Sequence, residues 1–148
     1  MRSPELKIFV ADDDIRFLFA MEKHLQHTGQ STVRLFSTSS TCLLQLPQKP
    51  DVIFLDYRMD NLDGISILQK IKRFVPNTLV VMVYDHDSID IAVNSLKNGS
   101  FEYICKDNLT NEVIRNLVAK VHRFKKLAKN QQNIFTKFLY NTGLRQTS

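Results

Sequence analysis

The sequence predicts an α/β fold in which five parallel strands alternate with five helices. Two observations lead to this prediction: apolar runs of strand length recur along the chain, and apolar spacing typical of a helix follows each of them within a few residues. The composition agrees, because a chain of 148 residues with 43% hydrophobic and 24% charged residues can bury a core of its own.

The first half of the chain carries three of the predicted strands and two of the helices. Apolar runs predict strands at residues 6–11, 32–36 and 50–56. Helical spacing begins at Ile15, with Asp14 placed as its N-cap and Gly29 as a left-handed stop. A short second helix is predicted at about residues 39–46, where Pro47 closes it.

The second half supplies the remaining two strands and three helices. Strands are predicted at residues 79–83 and 101–105. Helices are predicted at residues 65–75 and 89–97, and from Thr110 onward. Asp63-Gly64 marks a turn before the third helix, and Asn98-Gly99 ends the fourth with the two residue types that favour a left-handed backbone.

Acidic residues stand at the ends of two predicted strands. Asp12 and Asp13 follow the first strand, and Asp56 ends the third. Right-handed crossovers leave few topologies, and the common one for five strands is the doubly wound, flavodoxin-like order 2-1-3-4-5. The first and third strands are neighbours in that order, and ligands bind at the switch point outside their carboxyl ends. The three carboxylates are therefore expected to meet in one crevice.

Three carboxylates this close repel one another unless a cation holds them. Oxygen ligands without nearby His or Cys favour Mg²⁺, which typically bridges protein carboxylates to phosphate. The ion shields a carboxylate from an incoming anion, so that one Asp can act as a nucleophile toward phosphorus. Lys106, which follows the fifth strand, can then balance the charge of a phosphoryl oxygen.

Several motifs, in this order, give the chain a resemblance to the receiver domains of two-component response regulators of the chemotaxis-regulator type. The matching motifs are residues 8–14, residues 50–56, Asp63-Gly64, Asn98-Gly99 and residues 103–106. Together they make the resemblance specific, and it spans about residues 6–125.

The resemblance implies that Asp56 accepts a phosphoryl group from a histidine kinase or a histidine phosphotransfer protein. It also implies direct Mg²⁺ binding by Asp13, Asp56 and the backbone carbonyl of Arg58. Asp12 would act on the ion through water, and Lys106 would contact the aspartyl phosphate. A domain of this kind is not an enzyme beyond the phosphorylation and dephosphorylation of its own aspartate.

Around the expected site the sequence departs from the family's pattern. Tyr84 stands where a Ser or Thr usually ends the fourth strand, and Asp85 follows where a small residue is usual. Asp60 and Asp107 stand where the family commonly has Pro. The added acids are expected to favour the metal and to disfavour the phosphorylated state. Phosphorylation stays possible on this hypothesis, but the usual hydroxyl-coupled switch is expected to be altered, because Tyr84 replaces the small hydroxyl residue. Tyr103 stands where receivers often change a rotamer on activation, and packing in the core is the interpretation favoured for it.

Two other functions stay open. A degenerate receiver without a phosphoryl cycle would serve as a constitutive interaction or dimerisation module, which Tyr84 and Asp85 favour. A phosphatase with an aspartate nucleophile is disfavoured, because Asp56-Tyr57-Arg58 lacks the second aspartate two residues on that such enzymes use as acid and base.

The end of the chain is basic and suggests an appendage to the receiver domain. Residues 1–125 are predicted as the receiver domain and residues 126–148 as a basic helical extension. From Leu117 to Phe138 the apolar residues follow the a/d rhythm of a coiled-coil seam. Three interpretations stay open: a fifth helix packed on the sheet and followed by an extension, a homodimer through this helix, or a linker toward an output module. No recognition motif accompanies the basic residues, so a nucleic-acid partner is not expected.

Targeting signals give no indication of export or membrane insertion. The N-terminus lacks an apolar signal region, and no apolar run approaches the length of a membrane span. Cys42 and Cys105 fit no metal-binding or redox spacing. We therefore expect free thiols, no membrane partner and a cytoplasmic location.

Overall fold

The computed structural model describes residues 5–30, 32–85 and 89–143 and contains a five-stranded parallel sheet. Its strands are β1 (Ile8–Ala11), β2 (Val33–Phe36), β3 (Val52–Asp56), β4 (Leu79–Tyr84) and β5 (Glu102–Cys105). They pair in the order β2-β1-β3-β4-β5, and every pair is parallel. The predicted order 2-1-3-4-5 is confirmed.

Five α-helices connect or follow the strands. They are α1 (Ile15–His27), α2 (Ser39–Leu44), α3 (Gly64–Phe74), α4 (Ile89–Lys97) and α5 (Asn111–Asn141). The predicted N-cap of α1 is confirmed, because the Asp14 carboxylate accepts a hydrogen bond from the Arg16 amide. Gly99 ends α4 with a φ of 97°. α2 ends at Leu44, earlier than predicted, and Pro47 lies within a separate 3₁₀ turn, Leu46–Gln48, rather than closing the helix.

The core lies on both faces of the sheet. β1, β3 and β4 consist entirely of buried residues, as expected for the central strands of a parallel sheet covered by helices. On one face Phe9 and Leu55 pack in a cluster with Leu68 and Ile71 of α3. The burial of each whole strand explains why β3 is a continuous apolar run rather than an alternating one.

The buried face of α1 consists of Leu18, Met21 and Leu25. Ile15, where the helical spacing of the sequence begins, is exposed, and so is Phe19. The first turn of α1 therefore presents apolar side chains to solvent near the carboxyl ends of the strands.

A short hairpin that the sequence did not reveal follows β3. Arg58–Met59 pairs antiparallel with Leu62–Asp63, and the turn residues Asp60 and Asn61 both have a φ of 58°. Positive φ at both turn residues is the geometry of the primed turns that join two-residue hairpins. Proline cannot adopt it, so the absence of the family's common Pro at Asp60 has a backbone reason.

The chain divides into two compact units, one ending at Arg115 and the other beginning at Asn116. α5 begins in the first unit and continues through the second as one helix of 31 residues. The receiver boundary at residue 125 stays a prediction, and the last five residues of the predicted extension, 144–148, lie outside the described residues. Among the described helices, none combines the length and the apolar character that crossing a membrane requires.

Candidate functional site

The carboxyl ends of β1 and β3 bring three aspartates together. Asp12 directly follows β1 and Asp56 is the last residue of β3, and the two strands are in register with Ala11 opposite Leu55. One oxygen from each of Asp12, Asp13 and Asp56 lies within 4.8 Å of the others. Their proximity follows from the strand order, because parallel neighbours end at the same edge of the sheet.

The three acids differ in their exposure to water. Asp12 is fully buried, Asp56 is 4% exposed, and Asp13 is exposed. Burial raises the pKa of Asp56 to about 7, and the negative charge of Asp12 adds to the effect. Burial also raises the pKa of Asp12, although the hydrogen bonds from Lys106 and Asp14 oppose it. The crevice is thus a place where negative charge is destabilised unless a cation accompanies it.

Lys106 supplies a cation at the end of β5. Its ammonium nitrogen lies 2.7 Å from Asp12 Oδ2, and the other Asp12 oxygen accepts from the amide of Asp14 at 2.8 Å. Burial acts to lower the pKa of Lys106, but the hydrogen bond to Asp12 and the charges of the neighbouring carboxylates outweigh it and the pKa is raised. Lys106 therefore stays an ammonium and neutralises part of the acidic crevice.

Two further groups contact the Lys106 ammonium. Asp85 Oδ1 lies 3.5 Å from it, and the centre of the Phe17 ring lies 4.5 Å from it, within the range of a cation–π interaction. Phe17 was not among the predicted site residues. A signal was present, since the first turn of a helix that begins three residues after Asp12 lies at the same edge of the sheet.

Tyr84 and Tyr103 form a stacked pair on β4 and β5. Their ring centres are 5.8 Å apart and their planes are inclined by 27°. Tyr84 is buried, whereas Tyr103 is 37% exposed. The interpretation of Tyr103 as a core aromatic is therefore wrong: it covers Tyr84 from the outside. Tyr84 directly follows Val83, the register partner of Asp56. The chain thus carries a packed phenol at the position where the resemblance to receivers predicts a small hydroxyl.

The segment that follows Asp56 is held by backbone hydrogen bonds. Tyr57 donates its amide to Val83 at 2.7 Å, and its carbonyl accepts from the amide of Gly64 at 2.7 Å. The Arg58 amide donates to Asp56 Oδ1 at 3.4 Å, while the Arg58 side chain is exposed. These bonds fix the backbone on both sides of the Asp56 carboxylate.

Asp60 and Asp107 do not both enlarge the acidic rim. Asp60 Oδ2 accepts a hydrogen bond of 2.7 Å from the amide of Ser39 and so serves the first turn of α2. Asp107 is exposed in the 3₁₀ turn after β5. The expectation that Asp60 adds an uncommitted charge beside the site gives way to a structural role for its carboxylate.

The donor set fits a divalent cation. Apart from the Lys106 ammonium, no described group donates to the buried oxygen Oδ2 of Asp12, and Asp12, Asp13 and Asp56 offer one oxygen each within a small volume. All of these donors are hard oxygens, which suit Mg²⁺ better than a softer metal. Burial and, to a smaller extent, mutual repulsion raise the pKa values of Asp12 and Asp56, and a cation here would offset both effects.

This protein is a flavodoxin-like α/β domain, because its parallel sheet is doubly wound. Its site lies at the switch point, where an acidic crevice and a lysine meet at the carboxyl ends of the strands. Residues 8–119 match the family described as the response regulator receiver domain, and the chain belongs to that family. The resemblance seen in the sequence is thereby confirmed.

Relatives among characterised regulators are much longer than this chain. The DNA-binding transcriptional regulator NtrC of Proteus hauseri is 30% identical over 130 residues, which cover 86% of this chain and 27% of that protein. The transcriptional regulatory protein ZraR of Klebsiella oxytoca is 33% identical over 107 residues, covering 72% of this chain and 24% of the relative. The chain thus spans about a quarter of the length of these transcriptional regulators.

Solved structures show the same fold. A response regulator receiver domain from Clostridium thermocellum has a TM-score of 0.75 at 29% identity and covers 83% of this chain and 98% of that one. NtrX from Brucella abortus, in complex with ADP, has a TM-score of 0.80 at 22% identity and covers 98% of this chain and 31% of that one. The second comparison supports the fold alone.

Proposed function

We propose that this chain is a receiver that accepts a phosphoryl group on Asp56 in His-Asp signal transduction. The observation that carries the proposal is the convergence of Asp12, Asp13 and Asp56 within 4.8 Å, with the Lys106 ammonium 2.7 Å from Asp12. Among these groups Asp56 stands out as the acceptor, because Asp12 already pairs with the Lys106 ammonium and Asp13 is exposed. Asp56 is buried, and its Oδ1 accepts only a long hydrogen bond from the Arg58 amide.

The chemistry required of Asp56 is a nucleophilic attack by its carboxylate. A P–O bond forms to a carboxylate oxygen while the P–N bond to the donor imidazole breaks, and the electron pair returns to the imidazole nitrogen, which takes up a proton. Asp56 must be ionised for this step, and its raised pKa works against ionisation in the metal-free crevice. Bound Mg²⁺, held by Asp13 and Asp56 with Asp12 nearby, would supply the positive charge that favours the carboxylate and offsets phosphate repulsion. The backbone carbonyl of Arg58 stays a predicted third ligand.

Lys106 has the second proposed role. Because its side chain is only 16% exposed and is already beside Asp12, its ammonium can contact a phosphoryl oxygen on Asp56 without a large change in solvation. A point charge on a flexible stem suits this role, since the lysine can turn from one anion to another.

The proposed donor is a histidine kinase or a histidine phosphotransfer protein. Ile15 and Phe19 lie exposed on the first turns of α1, next to the aspartates that follow β1. Exposed apolar side chains beside a reactive group are typical of surfaces that bind another protein. A partner that docks on α1 would bring its phosphohistidine close to Asp56.

Phosphorylation can be tested with three donors. Incubation with acetyl phosphate and Mg²⁺ is expected to add the mass of one phosphoryl group in an acid-stable, base-labile form, and Asp56→Asn is expected to abolish the gain. Phosphoramidate, a small P–N donor, is expected to act in the same way, while a phosphohistidine protein that is a true partner should transfer much faster than either. Intact mass spectrometry measures all three.

The matched control for Asp56→Asn is Asp51→Asn, which changes an aspartate on the opposite end of β3 that binds the Lys7 amide. The Asp51 variant should still gain the phosphoryl mass. If the wild-type protein, folded and saturated with Mg²⁺, gained no mass from any donor, the phosphoacceptor function would be wrong.

The rival function is a degenerate receiver that works as a constitutive interaction module. The buried Tyr84 ring, stacked on Tyr103, favours it, because this pair replaces the small hydroxyl that usually couples the site to the β4–α4 loop. The phosphorylation experiment separates the two functions, since the module requires no mass gain. In both cases the domain is a regulator and not an enzyme acting on other substrates.

A homodimer through α5 is a further part of the proposal. Leu127, Ile134, Phe135 and Phe138 are exposed and fall on one stripe of the helix, and a second copy of the same stripe would cover them. Phe135→Glu is expected to convert a dimer into a monomer in sedimentation velocity. Thr136→Glu places the same charge off the stripe and should leave the dimer intact, and a wild-type monomer at high concentration would contradict the proposal.

The cellular location and the nucleic-acid partner of this chain are supported less directly than its phosphoacceptor function. The printed name of NtrC describes a DNA-binding regulator, but this chain spans about a quarter of that protein, and the match does not show which part binds DNA. We propose a cytoplasmic regulator, and the absence of a nucleic-acid partner for this chain stays a prediction. A gel-shift assay with random duplex DNA at physiological salt, showing no complex, is the result expected.

A further inference from the structure

We propose that Asp85 is an internal anion that competes with the phosphoryl group for Lys106. The inference rests on the proposed phosphoacceptor function and concerns how readily the phosphorylated state forms. Asp85, which stands where receivers usually have a small side chain, would thereby lower the stability of the phosphorylated state.

The pairing of β4 with β5 places the two charges side by side. Tyr84 and Cys105 are register partners at the ends of these strands, and Asp85 and Lys106 directly follow them in the chain. The Cys105 thiol also donates to the Asp85 carbonyl at 3.5 Å, which ties the backbone of Asp85 to β5. The contact between Asp85 Oδ1 and Lys106 Nζ, at 3.5 Å, therefore follows from the sheet and not from a chance loop conformation.

The Lys106 ammonium is enclosed on three sides by groups that attract a cation. They are the Asp12 carboxylate at 2.7 Å, the Asp85 carboxylate at 3.5 Å and the Phe17 ring at 4.5 Å. Among the described residues, no carboxylate other than those of Asp12 and Asp85 lies within 4.0 Å of this nitrogen. The ammonium is thus committed to groups other than Asp56.

Of these three groups, the Asp85 carboxylate can most easily turn away from the ammonium. Asp12 is fully buried, whereas the Asp85 side chain is 68% exposed, and an exposed carboxylate loses little solvation when it turns away. A phosphoryl oxygen on Asp56 is an anion that requires the same ammonium. Its contact with Lys106 must displace Asp85 or share the ammonium with it, so that the Asp85 carboxylate weakens the phosphorylated state.

The test compares the affinity for beryllium fluoride, a phosphoryl analogue, in the presence of Mg²⁺. Asp85→Asn keeps the size of the side chain and removes its charge. Because exposed ion pairs contribute modestly, the variant is expected to bind the analogue about two- to fivefold more tightly than the wild type in titration calorimetry. Asp85→Glu keeps the charge and should stay closer to the wild type than Asp85→Asn.

Two controls separate competition for Lys106 from a general effect of the acidic rim. Asp107→Asn removes a carboxylate from the residue next to Lys106 that makes no ion pair with it among the described residues, and its affinity should stay within about twofold of the wild type. In a Lys106→Met background, Asp85→Asn should lose its effect, since a double-mutant cycle isolates the interaction between the two residues.

A second readout does not depend on the analogue. The side-chain NMR signal of Lys106, assigned with a Lys106→Arg variant in metal-free buffer, should shift in Asp85→Asn and stay in place in Asp107→Asn. An unshifted Lys106 signal in Asp85→Asn would overturn the contact itself.

The remaining outcomes distinguish the two proposals. Equal affinity of wild type and Asp85→Asn would overturn the competition and leave the phosphoacceptor function intact, as would an equal gain from Asp85→Asn with and without Lys106. Binding by Asp85→Asn alone would support the competition in its strongest form. If no variant bound the analogue while Asp56 also gained no phosphoryl mass, both proposals would fall.

Discussion

Asp56→Asn is expected to raise the free energy of unfolding of the metal-free protein by about 2–4 kcal/mol at pH 8, and by less than half of that at pH 5. The substitution keeps the shape of the side chain and one acceptor oxygen for the Arg58 amide. It removes a charge that the fold destabilises, since Asp56 is 4% exposed and lies in a cluster with Asp12 and Asp13. The proposed phosphoacceptor is therefore expected to reduce stability in the absence of metal.

The sign of this pH dependence is opposite to that of a salt-bridged aspartate. The folded protein raises the pKa of Asp56 from 3.8 to about 7, chiefly by burial, so the folded state binds the proton more tightly than the unfolded chain. The wild type then loses stability as the pH rises from about 4 through 7. The full difference between the folded and unfolded pKa of Asp56 corresponds to about 4 kcal/mol in the free energy of unfolding. Asn does not titrate, so the variant lacks this loss.

Urea denaturation at several pH values measures the effect. Asp13→Asn is the control, because Asp13 belongs to the same cluster but is exposed, and it should change the stability by less than about 0.5 kcal/mol. Saturating Mg²⁺ should stabilise the wild type more than Asp56→Asn, since the ion binds the folded state and requires the carboxylate. A variant no more stable than the wild type at pH 8 would contradict the destabilising role of Asp56.

The sheet could be predicted because its strands are short apolar runs in the sequence. β3 and β4 are buried on both faces, so each contains a continuous apolar segment, and the shortness of that segment favours a strand over a helix. The hairpin after β3 escaped prediction for the opposite reason. Its strands have two residues each, and Asp60-Asn61 is a turn only because both residues adopt positive φ, which neither spacing nor hydropathy encodes.

The site could be predicted as far as strand ends determine it. Asp12, Asp56 and Lys106 follow strands whose order the crossover rule restricts, and their proximity is a consequence of topology. The contacts of Phe17 and Tyr103 depend on side-chain direction, which the sequence does not specify. Phe17 turns its ring toward Lys106, and Tyr103 covers Tyr84 instead of entering the core.

Asp63-Gly64 illustrates how a correctly noticed motif received an incomplete explanation. The pair was predicted as a turn, but Asp63 is the N-cap of α3, accepting from the Ile65 amide, and Gly64 is the first residue of that helix. Gly64 is needed for space and not for a left-handed backbone. A Cβ atom at this position would lie 2.6 Å from the Tyr57 carbonyl oxygen, 2.8 Å from Tyr57 Cα and 2.9 Å from Met82 Cε.

Gly64→Ala is expected to lower the free energy of unfolding by about 2–3 kcal/mol. Replacing a glycine at the start of a helix by alanine would ordinarily raise the free energy of unfolding. Here the clash reverses the sign of that change. Met82 can give way because its methyl group ends a flexible side chain, but the two Tyr57 atoms belong to the backbone. Tyr57 must therefore move, and the hydrogen bond from the Gly64 amide to its carbonyl, now 2.7 Å long, must lengthen.

Because Tyr57 directly follows Asp56, the same displacement is expected to slow phosphorylation by acetyl phosphate by about tenfold, as small misplacements of a reacting group do. Gly29→Ala is the matched control: it makes the same chemical change where nothing lies within 4 Å of the added Cβ. Its φ of 84° should lower the stability by about 1 kcal/mol, yet its phosphorylation rate should match the wild type. Urea denaturation and initial rates of mass gain, measured on both variants, separate a steric effect at Asp56 from a general loss of stability. A Gly64→Ala protein as stable and as rapidly phosphorylated as the wild type would show that the backbone after Asp56 tolerates the side chain.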